Sequence, residues 1–376
     1  MWDERQWLAC EETSKAFGFV RGRLSPRQVR LFFVAMAHRV WDRLPGDEFR
    51  DAIEVVDQVA DGHRDEAELR ALHEHFSAAD ATAGPDISRR AHALELLRNV
   101  TGELRRSCFW VSRAALDLTM RSRNDWVRRA DEEKAQVAIL RDIVGDPFHP
   151  VLPNPAWCTS TVTALAHGIY AERAFDRLPI LADALQDAGC EDPRVLDHCR
   201  RPAADEHVCG CWVVDMLLNH EPPLTADEWD TTTDAGRMIR TAWPRTTHRK
   251  LALAVCGCAR RQQLLTFVDI AERDLEGQPL STEDQGWLTN GCDGDGSATD
   301  DGVLMTYPSF IRLEHPANLI QTAVELPNSD YYLPYENWPP VVRELDREAP
   351  ARAMRCVIGN PLRPPVKFPK KWKTAA

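Results

Sequence analysis

No stretch of this 376-residue chain stays apolar for long. The longest strongly apolar run is LFFVAMA, residues 31–37, well short of the ~20 residues a membrane-spanning helix needs, so no membrane role is expected. The opening MWDERQWLACEE carries acids where a secretory leader would carry an apolar core, which makes the cytoplasm the expected location. Positive charge is also in deficit. A formal charge of −12 argues against a nucleic-acid binder, because phosphate contacts need clustered Lys and Arg. The local exception, KFPKKWK at residues 367–373, reads as a solvated terminus.

Catalytic signatures are missing as well. There is no Gly-rich phosphate loop, Walker motif or G-x-S-x-G elbow. LHEHF brings His73, Glu74 and His75 together without the H-E-x-x-H spacing that sets two ligands on one helical face. The acidic loop NGCDGDGSATDDG (residues 290–302) resembles a calcium loop. Counted from Asp293, however, its sixth and twelfth positions hold Ala298 and Leu304 where Gly and Glu are required. Paired acids such as Glu132 with Glu133, or Asp300 with Asp301, read as solvent-facing charge.

What is present is ordinary globular material, 44% hydrophobic and 28% charged, so a packed core is expected. The length suggests two or three domains. Eleven cysteines, scattered in a chain without an export signal, are expected to be reduced thiols packed as small apolar side chains.

The chain repeats itself. Trp7 aligns with Trp229, and the same offset places VRLFFVAMAHR (residues 29–39) on LALAVCGCARR (251–261), with Arg39 on Arg261. IEVVDQVADG (53–62) then aligns with VDIAERDLEG (268–277). A Gly/Pro connector, IVGDPFHPVLPNPAW (143–157), returns as VIGNPLRPPVKFPKKW (357–372). Gly145 falls on Gly359, and Trp157 on Trp372. Four matched blocks in one order imply a duplication around a middle unit. The expected divisions are a helical module at 1–157, a helical-hairpin unit at 158–224 and a diverged second module at 225–376.

The fold class expected is all-α. Ser25 and Pro26 read as N-cap and first helical residue. Phe33, Ala37, Val40 and Leu44 follow at core-facing spacing. Ile53, Val56 and Ala60 form a second stripe, closed at Gly62. Long helices are expected over about 88–144, ending at Gly145. In the middle unit Asp192 and Pro193 open a short helix, and CWVVDMLLN (211–219) makes another. The best strand candidate, residues 303–313, is weakened by Pro308. Each connector Trp is expected to be half-buried, anchoring the chain back onto its own module.

Taken together, DERQWLAC, PRQVRLFFVAMAHR, GDPFHPVLPNPAW, IYAERAFDRLPILADALQDAGC and HVCGCWVVDMLLNHE resemble an uncharacterised family of hypothetical proteins found mainly in planctomycete bacteria. The resemblance covers the first 224 residues, and the remainder resembles a diverged second copy. It implies organisation and no activity.

The best metal candidate is DHCRRPAADEHVCGCW, which gathers His198, Cys199, His207, Cys209 and Cys211 with Cys190 upstream. Zinc takes four soft or borderline ligands converging tetrahedrally, and a Cys/His mixture of this density could supply them. The spacing matches no standard zinc motif, so the competing reading has the cysteines packing helices and the histidines bonding backbone. A four-thiolate set of Cys209, Cys211, Cys256 and Cys258 is weighed too, but Cys256 falls in the register of a core helix. The expected function is a non-catalytic binding or scaffolding protein with a protein partner and no cofactor. The alternative is a zinc-dependent enzyme or regulator centred on residues 190–211.

Overall fold

The structure, a computed structural model, describes residues 4–20, 24–82, 89–101, 107–119, 126–201, 207–242 and 349–363, with isolated positions between 245 and 281. Every regular element among them is helical, so the chain is all-α. Two compact units are present, Trp2–Pro222 and one containing Pro223–Ala376.

The first unit begins with α1 (Glu4–Ala9), α2 (Thr13–Val20) and α3 (Pro26–Arg39). The Ser25 hydroxyl accepts from Gln28 N–H, and the Gln28 side chain returns the bond to Ser25 N–H, a complete capping box with Pro26 just inside it. Then come α4 (Asp47–Ala60), α5 (Glu66–Thr82), α6 (Arg89–Thr101), α7 (Ser107–Thr119) and α8 (Trp126–Val144). Central α3 packs against α4, α6, α7 and α8, burying Phe32, Phe33 and Met36 completely.

One polar ladder crosses this apolar core. Arg39 grips Glu132 through Nε and Nη2 at 2.9–3.1 Å. The Gln136 amide donates to Glu132 Oε1, and its oxygen accepts from Ser112 and Thr13. Glu132 is therefore buried and paired rather than solvent-facing, because it lies on the inward stripe of α8 with Gln136 and Ile139.

The same unit continues with α9 (Ser160–Glu172), α10 (Leu178–Asp187), α11 (Pro193–Cys199) and α12 (Trp212–Leu218). These four close on each other in hairpin fashion, α9 on α10, α10 on α11, α11 on α12 and α12 on α9. They enclose a second apolar core of Val162, Ile169, Leu181, Leu185, Val195 and Val213. Trp157 is buried in this core, not half-buried against the module that precedes it. The cause is local: the Asn154 side chain caps a short 3-10 turn at Pro155–Trp157 that turns the ring forward. α12 also touches α8, which joins the two cores.

The second unit's described helices are α13 (Ala226–Thr231), α14 (Ala235–Ala242) and α15 (Ala349–Ile358), with α14 packed on α15. Its local chemistry repeats that of the first unit. Arg141 Nη2 donates to the Trp7, Leu8 and Cys10 carbonyls at the end of α1. Arg355 donates to the Trp229 and Thr232 carbonyls at the end of α13. Four residues after each arginine stands a left-handed glycine, Gly145 at φ +69° and Gly359 at φ +74°. The next side chain, Asp146 or Asn360, accepts from the backbone N–H two residues on.

Residues 290–302 and 303–313, Cys256, Cys258, Arg261, the basic tail and Trp372 lie outside the described residues. No described helix is long and apolar enough to cross a membrane.

Candidate functional site

The final turn of α8 carries Asp142 in the stripe Ile139–Asp142–Ile143, a carboxylate where periodicity asks for an apolar residue. Three groups from the hairpin unit converge on it. His198 comes from the last turn of α11, His207 from the segment before α12, and Cys211 is the residue at which α12 begins. The four residues are between 0% and 5% exposed. One donor atom from each lies within 4.8 Å of all the others.

Two glycines allow this convergence. Gly210, at φ +94°, adopts a conformation that L side chains avoid, and a Cβ there would meet Leu31 Cδ1 at 3.0 Å. Gly145 ends α8 with the Trp212 ring 3.1 Å from where its Cβ would stand. The 207–212 segment can therefore press onto α3 and the end of α8.

The hydrogen bonds define the protonation pattern. His207 Nδ1 lies 2.6 Å from Asp142 Oδ1, and His198 Nε2 lies 3.2 Å from the same oxygen. Val208 N–H donates to Oδ2 at 3.0 Å. Trp212 Nε1–H donates to His198 Nδ1 at 3.2 Å, so the His198 proton sits on Nε2, facing Asp142 and the Cys211 sulfur 3.2 Å away. Burial raises the Asp142 pKa, but the hydrogen bonds from His198 and His207 outweigh it and hold the carboxyl below its usual range. Burial lowers His198 despite the pull of Asp142, and it pushes the Cys211 thiol well above its usual value. His207 Nε2 is buried with no hydrogen-bond partner.

Of the residues expected to bind metal, His198, His207 and Cys211 come together. Cys199 and Cys209 stay outside this donor set. Cys199 follows His198 on α11, and helical neighbours point about 100° apart, so its thiol enters the hairpin core. Burial and then the Asp142 charge push its pKa to about 12. Cys209, across Gly210 from Cys211, has Arg173 and Asp57 as its charged neighbours, and burial pushes it to about 12 as well. Cys190 is buried in the same core as Cys199, and the seven cysteines whose side chains are described are free thiols. Asp142 escaped the sequence reading, although a carboxylate on an apolar stripe was the signal that could have found it.

A second polar network lies on the same seam. Arg27, in the first turn of α3, bonds Asp61 at 3.0 Å and Asp215 of α12 at 2.5 Å. It also reaches the Tyr170 hydroxyl of α9 at 2.7 Å and His220 Nδ1 at 2.9 Å. Tyr170 O–H in turn donates to Asp61. Nearby, Arg173 bonds Asp57 at 2.5 Å and donates to His38 Nε2 at 3.2 Å. Each acid or base in this set is engaged by another. The remaining donor grouping, Glu4, Asp146 and His149, is mostly exposed and reads as surface ion pairing. No protein-family model, curated protein or solved structure matches the chain.

Proposed function

We propose that this chain is a non-catalytic helical binding or scaffolding protein that acts on a protein partner. The observation that carries the reading is that, among the described residues, the two clusters of chemistry-bearing side chains are spent inward. Arg27, Asp61, Asp215, Tyr170 and His220 saturate each other across four elements, and Asp142 with its partners is sealed from solvent. Groups arranged this way fix helices relative to one another, and none of the acids and bases in these two described clusters faces a substrate. The alternative, a zinc-dependent enzyme, would need an open coordination position beside solvent. Burial of all four donors speaks against that.

Each helical unit offers its outer helix faces for recognition. Ile180, on the outer side of α10, is 56% exposed and provides an apolar anchor among charged neighbours. The recurring Trp–Arg–Gly arrangement in both units favours two related modules, and linked modules gain avidity when both engage one assembly.

The test is capture from the native cell with the full chain as bait, beside an Ile180→Asp variant of equal stability. A defined protein retained by the parent and lost from the variant supports the reading. Turnover of a small molecule, abolished by Arg27→Ala or His220→Ala, would overturn it.

A further inference from the structure

We propose that Asp142, His198, His207 and Cys211 form a structural zinc centre that clamps the hairpin unit to the end of α8. This goes beyond the scaffolding reading and stands or falls separately from it.

Three observations lead there. First, the donor set is zinc's own: two imidazoles, a carboxylate and a sulfur from four separate elements, with donor atoms within 4.8 Å. Tetrahedral bonds of the usual lengths separate neighbouring donors by about 3.3–3.6 Å. His198 Nε2 already lies 3.2 Å from both Asp142 Oδ1 and Cys211 Sγ. Only the 2.6 Å contact between His207 Nδ1 and Asp142 has to open appreciably. Second, the His207 ring has one hydrogen-bond partner in this sealed interior, Asp142 at Nδ1, so its polar anchoring is on the side of the donor set while Nε2 has none. Third, no Lys or Arg among the described residues bonds the Asp142 carboxylate, so it is a buried anion without a full countercharge. One Zn²⁺ with an ionised Asp142, an ionised Cys211 and two neutral imidazoles gives a site of zero net charge.

Binding forms one Zn–O, one Zn–S and two Zn–N bonds. The Cys211 thiol proton leaves to solvent, the His207 proton moves from Nδ1 to Nε2, and the His198 proton moves from Nε2 to Nδ1. There it confronts the Trp212 N–H, which in the metal-free arrangement donates to that nitrogen. Trp212 therefore holds His198 in the metal-free tautomer and opposes loading.

The experiment uses the purified full chain, elemental analysis, and titration with Co²⁺ as a spectroscopic stand-in for Zn²⁺. The expected result is about one zinc per chain. Co²⁺ should give the intense visible bands of a four-coordinate site and a near-ultraviolet sulfur charge-transfer band. Cys211→Ser should remove the charge-transfer band and most of the bound zinc, while Cys209→Ser keeps both. Trp212→Phe should tighten zinc binding severalfold, a gain that no unfolded variant can mimic. A metal-free chain giving no four-coordinate cobalt spectrum overturns the proposal, as does zinc retained equally by Cys211→Ser. Zinc binding unchanged or weakened in a folded Trp212→Phe protein overturns the assigned role of Trp212.

Discussion

Replacing Arg27 with Ala is expected to loosen the hairpin unit from the first module. The guanidinium bridges Asp61 and Asp215, and the three side chains are only 12%, 15% and 11% exposed. Its removal strands two carboxylates in a poorly solvated seam. Neither is left bare: the Tyr170 hydroxyl still donates to Asp61, and His220 remains 2.9 Å from Asp215. Breaking one partner out of a buried ion pair costs about 3–5 kcal/mol, and these surviving bonds place the expectation near the lower end, about 3 kcal/mol. The exposed Arg64–Glu68 pair sets the contrast, with about 0.3–0.5 kcal/mol for such an i,i+4 contact. The assay is urea unfolding combined with amide hydrogen exchange. Amides of α9 and α12 should lose protection while those of α6 and α7 keep theirs, since Arg27 bonds only the former pair among these helices. Arg27→Lys should recover less than half of the loss, because a point charge cannot fork to both carboxylates. A loss below about 1 kcal/mol would place the network among ordinary solvated surface pairs and refute the reasoning.

Asp142→Ala leaves two imidazole groups and the Val208 N–H without their buried acceptor, and should cost about 3–5 kcal/mol by urea titration. Gly145→Ala and Gly359→Ala both force an alanine into left-handed backbone, about 1–2 kcal/mol each. Only Gly145 meets the Trp212 ring, so it should add about 1–3 kcal/mol of overpacking, and equal shifts in melting would contradict that contact. His38 is held down to about 4 by burial and by Arg173. The unfolded chain therefore binds the extra proton between about pH 4 and 6.5, and His38's contribution is present above 6.5 and lost as pH falls through that window. His38→Asn should flatten the acid limb of the stability profile, and parallel profiles for variant and parent would dispose of this assignment.

Much of the fold could be read from short stretches because its causes are short-ranged. Ser25, Pro26 and Gln28 cap α3 from within four residues, and Asp192 does the same for α11. Gly62 and Gly145 end helices because only glycine enters left-handed backbone without strain. The stripes of α3 and α4 were legible from side-chain periodicity, and every stripe residue singled out there is buried. α5 has no counterpart among those stripes, and its His73, without metal-ligand spacing in the sequence, bonds the Arg98 carbonyl.

The site depended on distance. His198, His207 and Cys211 were visible as a local Cys/His concentration, but adjacency could not separate them from Cys199 and Cys209. Side-chain direction made that separation: a helical step turned Cys199 into the apolar core, and the left-handed Gly210 set Cys209 and Cys211 apart. The fourth member, Asp142, lies far back along the chain, marked by its place on an apolar stripe of α8 but with nothing nearby in sequence to link it to the Cys/His segment. The sequence by itself determined where helices start, stop and turn their apolar faces, since those preferences act over one or two turns. Only the packing of α12 against α8 decided which polar groups meet, because their partners are brought together by burial of apolar surface and not by proximity in the chain.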